Sequence, residues 1–204
     1  MASLLIGSVI AFATLAVTLA AGVPSAYALH VRGGKLSRIV EENITLPLAI
    51  PGLAIALALL LTYQGFSEFR RSWLFILTGH VIFTMPFMVR SVMAVFATVD
   101  IRTLDEGAAS LGASPWRRFF DVIVPNALPG ILAGSLMVVT LSLGEFNLTW
   151  MLHTPLTKTL PIGLADAYAS MRLEVASAYT LIFFVMIIPL LVAMQLFADK
   201  EQKR

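Results

Sequence analysis

"EGAASLGASPWRRFFDVIVP", Glu106 to Pro125, interrupts a chain that is otherwise largely apolar. Just upstream, Thr103-Leu104-Asp105-Glu106 has the form of a capping box, with Thr103 accepting from the amide of Glu106 and Glu106 reaching back. Two acidic residues in a first turn also suit the positive end of a helix dipole. A short helix is therefore predicted from about Leu104, ended at Gly112 by a left-handed backbone. Ser114 then caps a second helix, with Pro115 at its first position, where no amide donor is missed. Trp116, Arg117, Arg118, Phe119 and Phe120 follow, and Pro125 marks the expected end of that helix. Apolar groups of this size exposed on a loop usually mark a contact site. On physics alone, two covers are open: the membrane surface, as for an interfacial amphipathic helix, or a protein partner.

On either side the chain is built for lipid. Of its 204 residues, 58% are hydrophobic and 13% charged, against about 25% charged in a soluble domain. Five stretches approach the roughly 20 apolar residues needed to cross a bilayer: 4–29, 44–63, 73–99, 127–152 and 178–198. None alternates with period 2, so helices rather than a barrel are expected. The fold class is thus all-α, a polytopic membrane helix bundle of one domain over 1–204, with about five transmembrane helices and a loop over 100–126. A cleaved signal peptide is disfavoured, because no basic residue precedes Leu4 and the first apolar run is too long.

Orientation follows from loop Lys and Arg. With the C-terminus inside, the inner segments hold nine: Arg32, Lys35, Arg38, Arg102, Arg117, Arg118, Lys200, Lys203 and Arg204. The outer segments hold four: Arg70, Arg71, Lys158 and Arg172. The expected topology has the N-terminus outside, and the C-terminus and the 100–126 loop in the cytoplasm. Prolines lie in or beside every span, which suits either a packed bundle or one that moves.

Three ionisable residues fall within spans, where such groups are costly and often functional. Glu145, with Asn147 nearby in "SLGEFNLTW", is the candidate for a solute path; the same carboxylate could instead pair with Arg90. For His80, the alternative is an interhelical hydrogen bond. The outer segment 153–177 carries Asp166, Tyr168, Arg172 and Glu174, as either a docking face or a solvated loop.

The central stretch resembles the cytoplasmic signature of binding-protein-dependent ABC importer permeases, which runs E-A-A, three residues, G, nine residues, I, one residue, L-P. Glu106, Gly107 and Ala108 stand at E-A-A, Gly112 at the glycine, and Val122, Val124 and Pro125 at I, L and P. The spacing is intact, and Gly107 is the main departure. The order of spans also fits the family over the whole chain, although members usually carry a further span ahead of the one beginning here at Leu4. The resemblance implies that the second short helix is a coupling helix docking in a cytoplasmic ATPase. The residues involved would be Glu106, Gly107, Ala108, Gly112, Ser114, Pro115, Trp116, Arg117, Arg118, Phe120 and Pro125. It implies a second permease subunit, identical or not, two ATPase copies, an external solute-binding protein and a place in the bacterial inner membrane. Within the family the outer sequences look most like the branch importing polyamines, with aminoalkylphosphonate, thiamine and ferric iron importers as alternatives.

Other chemistry is missing from the sequence. No G-x-x-x-x-G-K-[ST] occurs, so ATP hydrolysis is expected on a partner and the chain itself is not expected to be an enzyme. The three His are far apart and there is no Cys, so no metal site or cofactor is expected. A net charge of +2 gives no basic surface for nucleic acid. The competing class is a stand-alone secondary transporter or channel, which normally shows an internal repeat that is not evident here.

Overall fold

In α1 (Ala2–Arg32), Gly7, Ile10, Ala11, Thr14, Thr18 and Gly22 form one buried stripe at three- and four-residue spacing. In the computed structural model, which describes residues 2–202 and the side chains of all of these but 194 and 197–202, that stripe faces α5 (Trp73–Phe96) and α8 (Val124–Gly144), while Gly7 at its start lies beside Thr159 and Leu160. Met1, Lys203 and Arg204 lie outside the described residues, and with them two of the C-terminal charges counted for orientation. Helices in lipid gain little from hydrophobicity alone and associate by close packing at small residues. Along α8 the buried positions Ala127, Gly130, Gly134, Val138 and Ser142 are mostly small. A Cβ at Gly130 would sit 2.5 Å from the Ser91 carbonyl oxygen and 3.0 Å from the Val92 Cα. Both are backbone, so nothing can swing aside.

Among the described residues, four helices are long and apolar enough to cross a membrane: Ala2–Arg32, Trp73–Phe96, Pro115–Gly144 and Leu173–Ala193. A fifth candidate is broken. Where one span over 44–63 is expected, the chain forms an amphipathic helix α2 (Gly34–Thr45), a 3-10 turn (Leu46–Leu48) and α3 (Gly52–Thr62). The two limbs meet at 107°. Pro47 and Pro51 flank the bend, where each removes an amide donor and Pro51 forces the preceding residue out of helix. The expected fourth span is also shorter than hydropathy suggested. Its helix stops at Gly144, and Asn147–Leu152 forms a separate short helix, α9. By contrast Pro24, Pro86, Pro129 and Pro189 all lie inside continuous helices.

The buried apolar groups form two clusters. One gathers Val23, Ala26, Met88, Val92, Phe96 and Ile123 near the 100–126 loop. The other gathers Ile10, Ile55, Phe75, Ile76, Leu148 and Leu152 at the opposite end. α10 (Leu160–Ala169) packs on the final helix α11 (Leu173–Gln202), which otherwise leaves Leu181, Phe184, Val185, Ile188 and Leu196 exposed to lipid or another chain.

The close α5–α8 contact is testable. Gly130→Val should destabilise the folded protein by about 1–3 kcal/mol through overpacking. Gly107→Ala, at an exposed helical position with nothing within 4 Å, should be neutral or stabilising by up to about 1 kcal/mol. Thermal unfolding in detergent compares the two, and equal midpoints would count against the packing assigned to Gly130.

Candidate functional site

The loop between α5 and α8 is built from local chemistry. α6 (Ile101–Ser110) begins one turn earlier than the capping box implied. Asp100 is the cap: its Oδ1 accepts from the Thr103 amide at 3.2 Å and its Oδ2 from the Thr103 hydroxyl at 2.7 Å. Those bonds from Thr103 hold the Asp100 carboxyl below its usual range. Thr103 is thus a donor to the cap and not the cap itself, because an Asp three residues ahead offers a charged acceptor to the Thr103 amide and starts the helix there. The Arg102 guanidinium ties α6 to the end of α1 by donating to the Val31 carbonyl, 2.9 Å away.

α6 ends in the expected glycine turn. Gly112 has φ +82°. Its amide donates to the Ala109 carbonyl and the Ala113 amide to that of Ala108, the paired bonds of a Schellman motif. Ser114 Oγ then accepts from the Arg117 amide, with Pro115 opening α7 (Pro115–Arg117) as expected. Pro125 does not end this helix. A π-helical turn (Arg118–Ile123) joins α7 directly to α8, with the Val124 amide bonded to the Phe119 carbonyl five residues back. The wider turn carries the helix past a residue that has no amide to give, and the Asn126 side chain donates to the Val122 carbonyl at 2.7 Å. The second short helix is therefore continuous with a membrane-length helix, in one run from Pro115 to Gly144.

A clasp with no sequence signal holds the two short helices together. The buried Asp105 Oδ2 accepts from Arg118 Nη1 at 3.1 Å. Phe119 packs against Tyr27 of α1, ring centroids 5.7 Å apart. With Arg118 turned inward, the outward surface consists of Leu111, 89% exposed, Trp116, 73%, and Phe120, 54%. The Trp116 and Phe120 rings stack with planes only 7° apart. Glu106, Gly107, Arg117 and Pro125 are exposed around them, and Ala108 is half-buried.

At the other end Glu145 is buried, and it pairs with no cation among the described residues; Arg90 is exposed. The Glu145 carboxylate caps α9, accepting from the Leu148 amide at 2.9 Å, the Thr149 amide at 3.0 Å and the Thr149 hydroxyl at 3.3 Å. His80, also buried, makes the interhelical bonds named as its alternative role: Nδ1 lies 2.7 Å from Ser142 Oγ and Nε2 lies 2.8 Å from Thr149 Oγ1. Asn147 is exposed on the first turn of α9. In the 153–177 segment, Lys158 and Asp166 form an ion pair. Among the described residues no group of His, Cys, Asp or Glu could hold a metal ion.

A protein-family model described as "Binding-protein-dependent transport system inner membrane component" matches residues 18–203. The putative 2-aminoethylphosphonate transport system permease protein PhnV of Salmonella typhimurium is 29% identical over 195 residues, covering 95% of this chain and 72% of that protein. The molybdenum transport system permease protein ModB of Haemophilus influenzae is 32% identical over 141 residues, covering 62% of this chain and 61% of its own. A solved inward-facing structure of the MetNI methionine ABC transporter shares the fold, with a TM-score of 0.77 at 17% identity, over 97% of this chain and 94% of that one. None of these three is named for polyamines, where the sequence pointed.

Proposed function

The chain belongs to the binding-protein-dependent ABC importer permeases, and on that premise we propose that it forms half of a solute path and couples it to a cytoplasmic ATPase through residues 103–125. The observation that carries this is mechanical. The exposed Trp116 and Phe120 stand on a helix continuous with α8, and the Asp105–Arg118 clasp locks α6 onto the same piece. A push on that surface reaches the α5–α8 contact along one unbroken helix. Coupling further requires that the surface make different contacts in the open and closed states of the ATPase pair, since otherwise nucleotide could not bias the spans.

ATP is hydrolysed on two separate ATPase subunits, and this chain supplies no catalytic group. A second permease, identical or not, covers exposed apolar surface and completes the path. The solute-binding protein docks on the outer segment 153–177. The protein sits in the bacterial inner membrane with its C-terminus in the cytoplasm, as the loop charges favour. Glu145 supports the path wall by fixing α9, and Asn147 on that helix is the polar group offered to solute. The substrate is a small phosphonate-bearing organic solute of the 2-aminoethylphosphonate type. The PhnV likeness supports this class over a polyamine because it extends along 95% of the chain.

Affinity purification of the tagged chain should retain an ATPase subunit, and the complex in vesicles should take up solute only with ATP and the binding protein. Excess 2-aminoethylphosphonate should compete and putrescine should not. Transport by the chain without an ATPase would overturn the coupling, and competition by putrescine alone would overturn the substrate class.

A further inference from the structure

At the end of the bundle away from the 100–126 loop, a cleft of about 320 Å³ opens between α4 (Ser67–Arg71), the start of α5 and the end of α9. Its polar lining is Ser67, Arg70, Arg71, His153 and Thr154, over an apolar floor that includes Phe75. Arg70 Nε is covered from solvent yet has no hydrogen-bond partner. Arg71 is held loosely by Glu68, 3.6 Å away with both side chains exposed, a pair that water and salt weaken. His153 Nδ1 donates to the Trp150 carbonyl, which fixes the ring at the rim. An unbonded guanidinium N–H in a half-buried site is costly, and a planar donor fork suits a phosphate.

The surroundings indicate what carries that phosphate. Phe66, Trp73 and Trp150 are exposed around the cleft, and Tyr63 packs edge-on against Phe66 and Phe69. Trp and Tyr gather where hydrocarbon meets headgroups. The cleft lies where the apolar α3 ends and the apolar α5 begins. Its floor is greasy and its rim cationic, which matches the glycerol-phosphate junction of a phospholipid.

We propose that this cleft is a binding site for the phosphate of a phospholipid headgroup in the leaflet opposite the 100–126 loop, with Arg70 as its main ligand. The site pins the short α4 and the end of α9 to the membrane surface. Inorganic phosphate offers the same chemistry, so the test has to separate the two sources. Native mass spectrometry of the detergent-purified transporter complex would be titrated with dioleoyl phosphatidylglycerol, dioleoylglycerol and inorganic phosphate. The expected result is a retained phosphatidylglycerol adduct, weakened about tenfold or more by Arg70→Gln and also by Ser67→Asp, which sets a negative charge in the same cleft from a different position. Dioleoylglycerol should not be retained, and millimolar phosphate should not displace the lipid. Intact subunit masses in the same spectra show whether each variant assembles. Equal lipid retention by the wild type and an assembled variant would overturn the site. So would equal retention of dioleoylglycerol, and an Arg70-dependent phosphate adduct that displaces the lipid would overturn the lipid as its source.

Discussion

Trp116→Ala is expected to release the ATPase from the purified complex and to abolish ATP-driven uptake while the membrane helices remain folded. Trp116 is 73% exposed and stacked on Phe120, so its loss leaves no cavity inside the chain. A buried aromatic anchor at an interface typically contributes 2 kcal/mol or more, about thirtyfold or greater in affinity. Gly112→Val should reach the same end by geometry. No atom lies within 4 Å of a Cβ placed there, so the cost is backbone strain at φ +82° and not a clash. The turn between α10 and α11 shows how much strain the fold accepts: Met171 holds φ +56° in the same hydrogen-bond pattern. An unbranched residue at Gly112 should therefore cost only about 1–2 kcal/mol, and Gly112→Asn should stay active. A β-branched residue disfavours that region further and should re-aim α7, separating hydrolysis from uptake. Arg117→Glu, at an exposed position, should weaken docking in a salt-sensitive way. Subunit retention, ATPase rate and uptake are scored together. Normal values for Trp116→Ala and Gly112→Val would show that this surface does not transmit the ATPase stroke.

What the sequence made legible here was local. A left-handed glycine, a Ser-Pro helix start and long apolar runs each depend on a few neighbouring residues, and the chain obeys them at Gly112, at Ser114-Pro115 and in α1, α5 and α11. Errors arose where two local options competed. Asp100 and Thr103 both precede helix-forming residues, and the charged acceptor prevailed. Pro125 looked like a stop, and a π turn absorbed it. Hydropathy records composition but not direction, so it joined α3 to part of α2 across a 107° bend and ran α8 into α9 across Glu145. Partnerships between distant residues left no trace at all. Asp105 and Arg118 are 13 positions apart, and His80 meets groups 62 and 69 positions away. Nothing in either stretch alone says that they touch.

Glu145 is where that distant packing changes a functional expectation. A carboxylate lining a path would be free to meet solute, whereas here both oxygens are engaged by backbone amides and a hydroxyl at the start of α9. The Thr149 hydroxyl can donate to Glu145 only if it accepts from His80 Nε2, which leaves Nδ1 to accept from Ser142. One carboxylate thus sets the orientation of a relay that joins α5, the end of α8 and α9. Hydrogen bonds to a charged group contribute about 1.5–3 kcal/mol each, and an orphaned buried amide carries a further penalty. Glu145→Ala should therefore destabilise the protein by about 3 kcal/mol or more and loosen α9. Glu145→Gln keeps an acceptor oxygen and should cost less than half of that. Because Thr149→Val removes part of the same network, the double variant should lose less than the sum of the two single ones. Thermal unfolding of the wild type and the four variants, with uptake measured in parallel, distinguishes the roles. If Glu145→Ala unfolds at the wild-type temperature yet transports nothing, the carboxylate serves the solute directly. If uptake falls only as stability falls, it serves by holding the wall on which Asn147 stands.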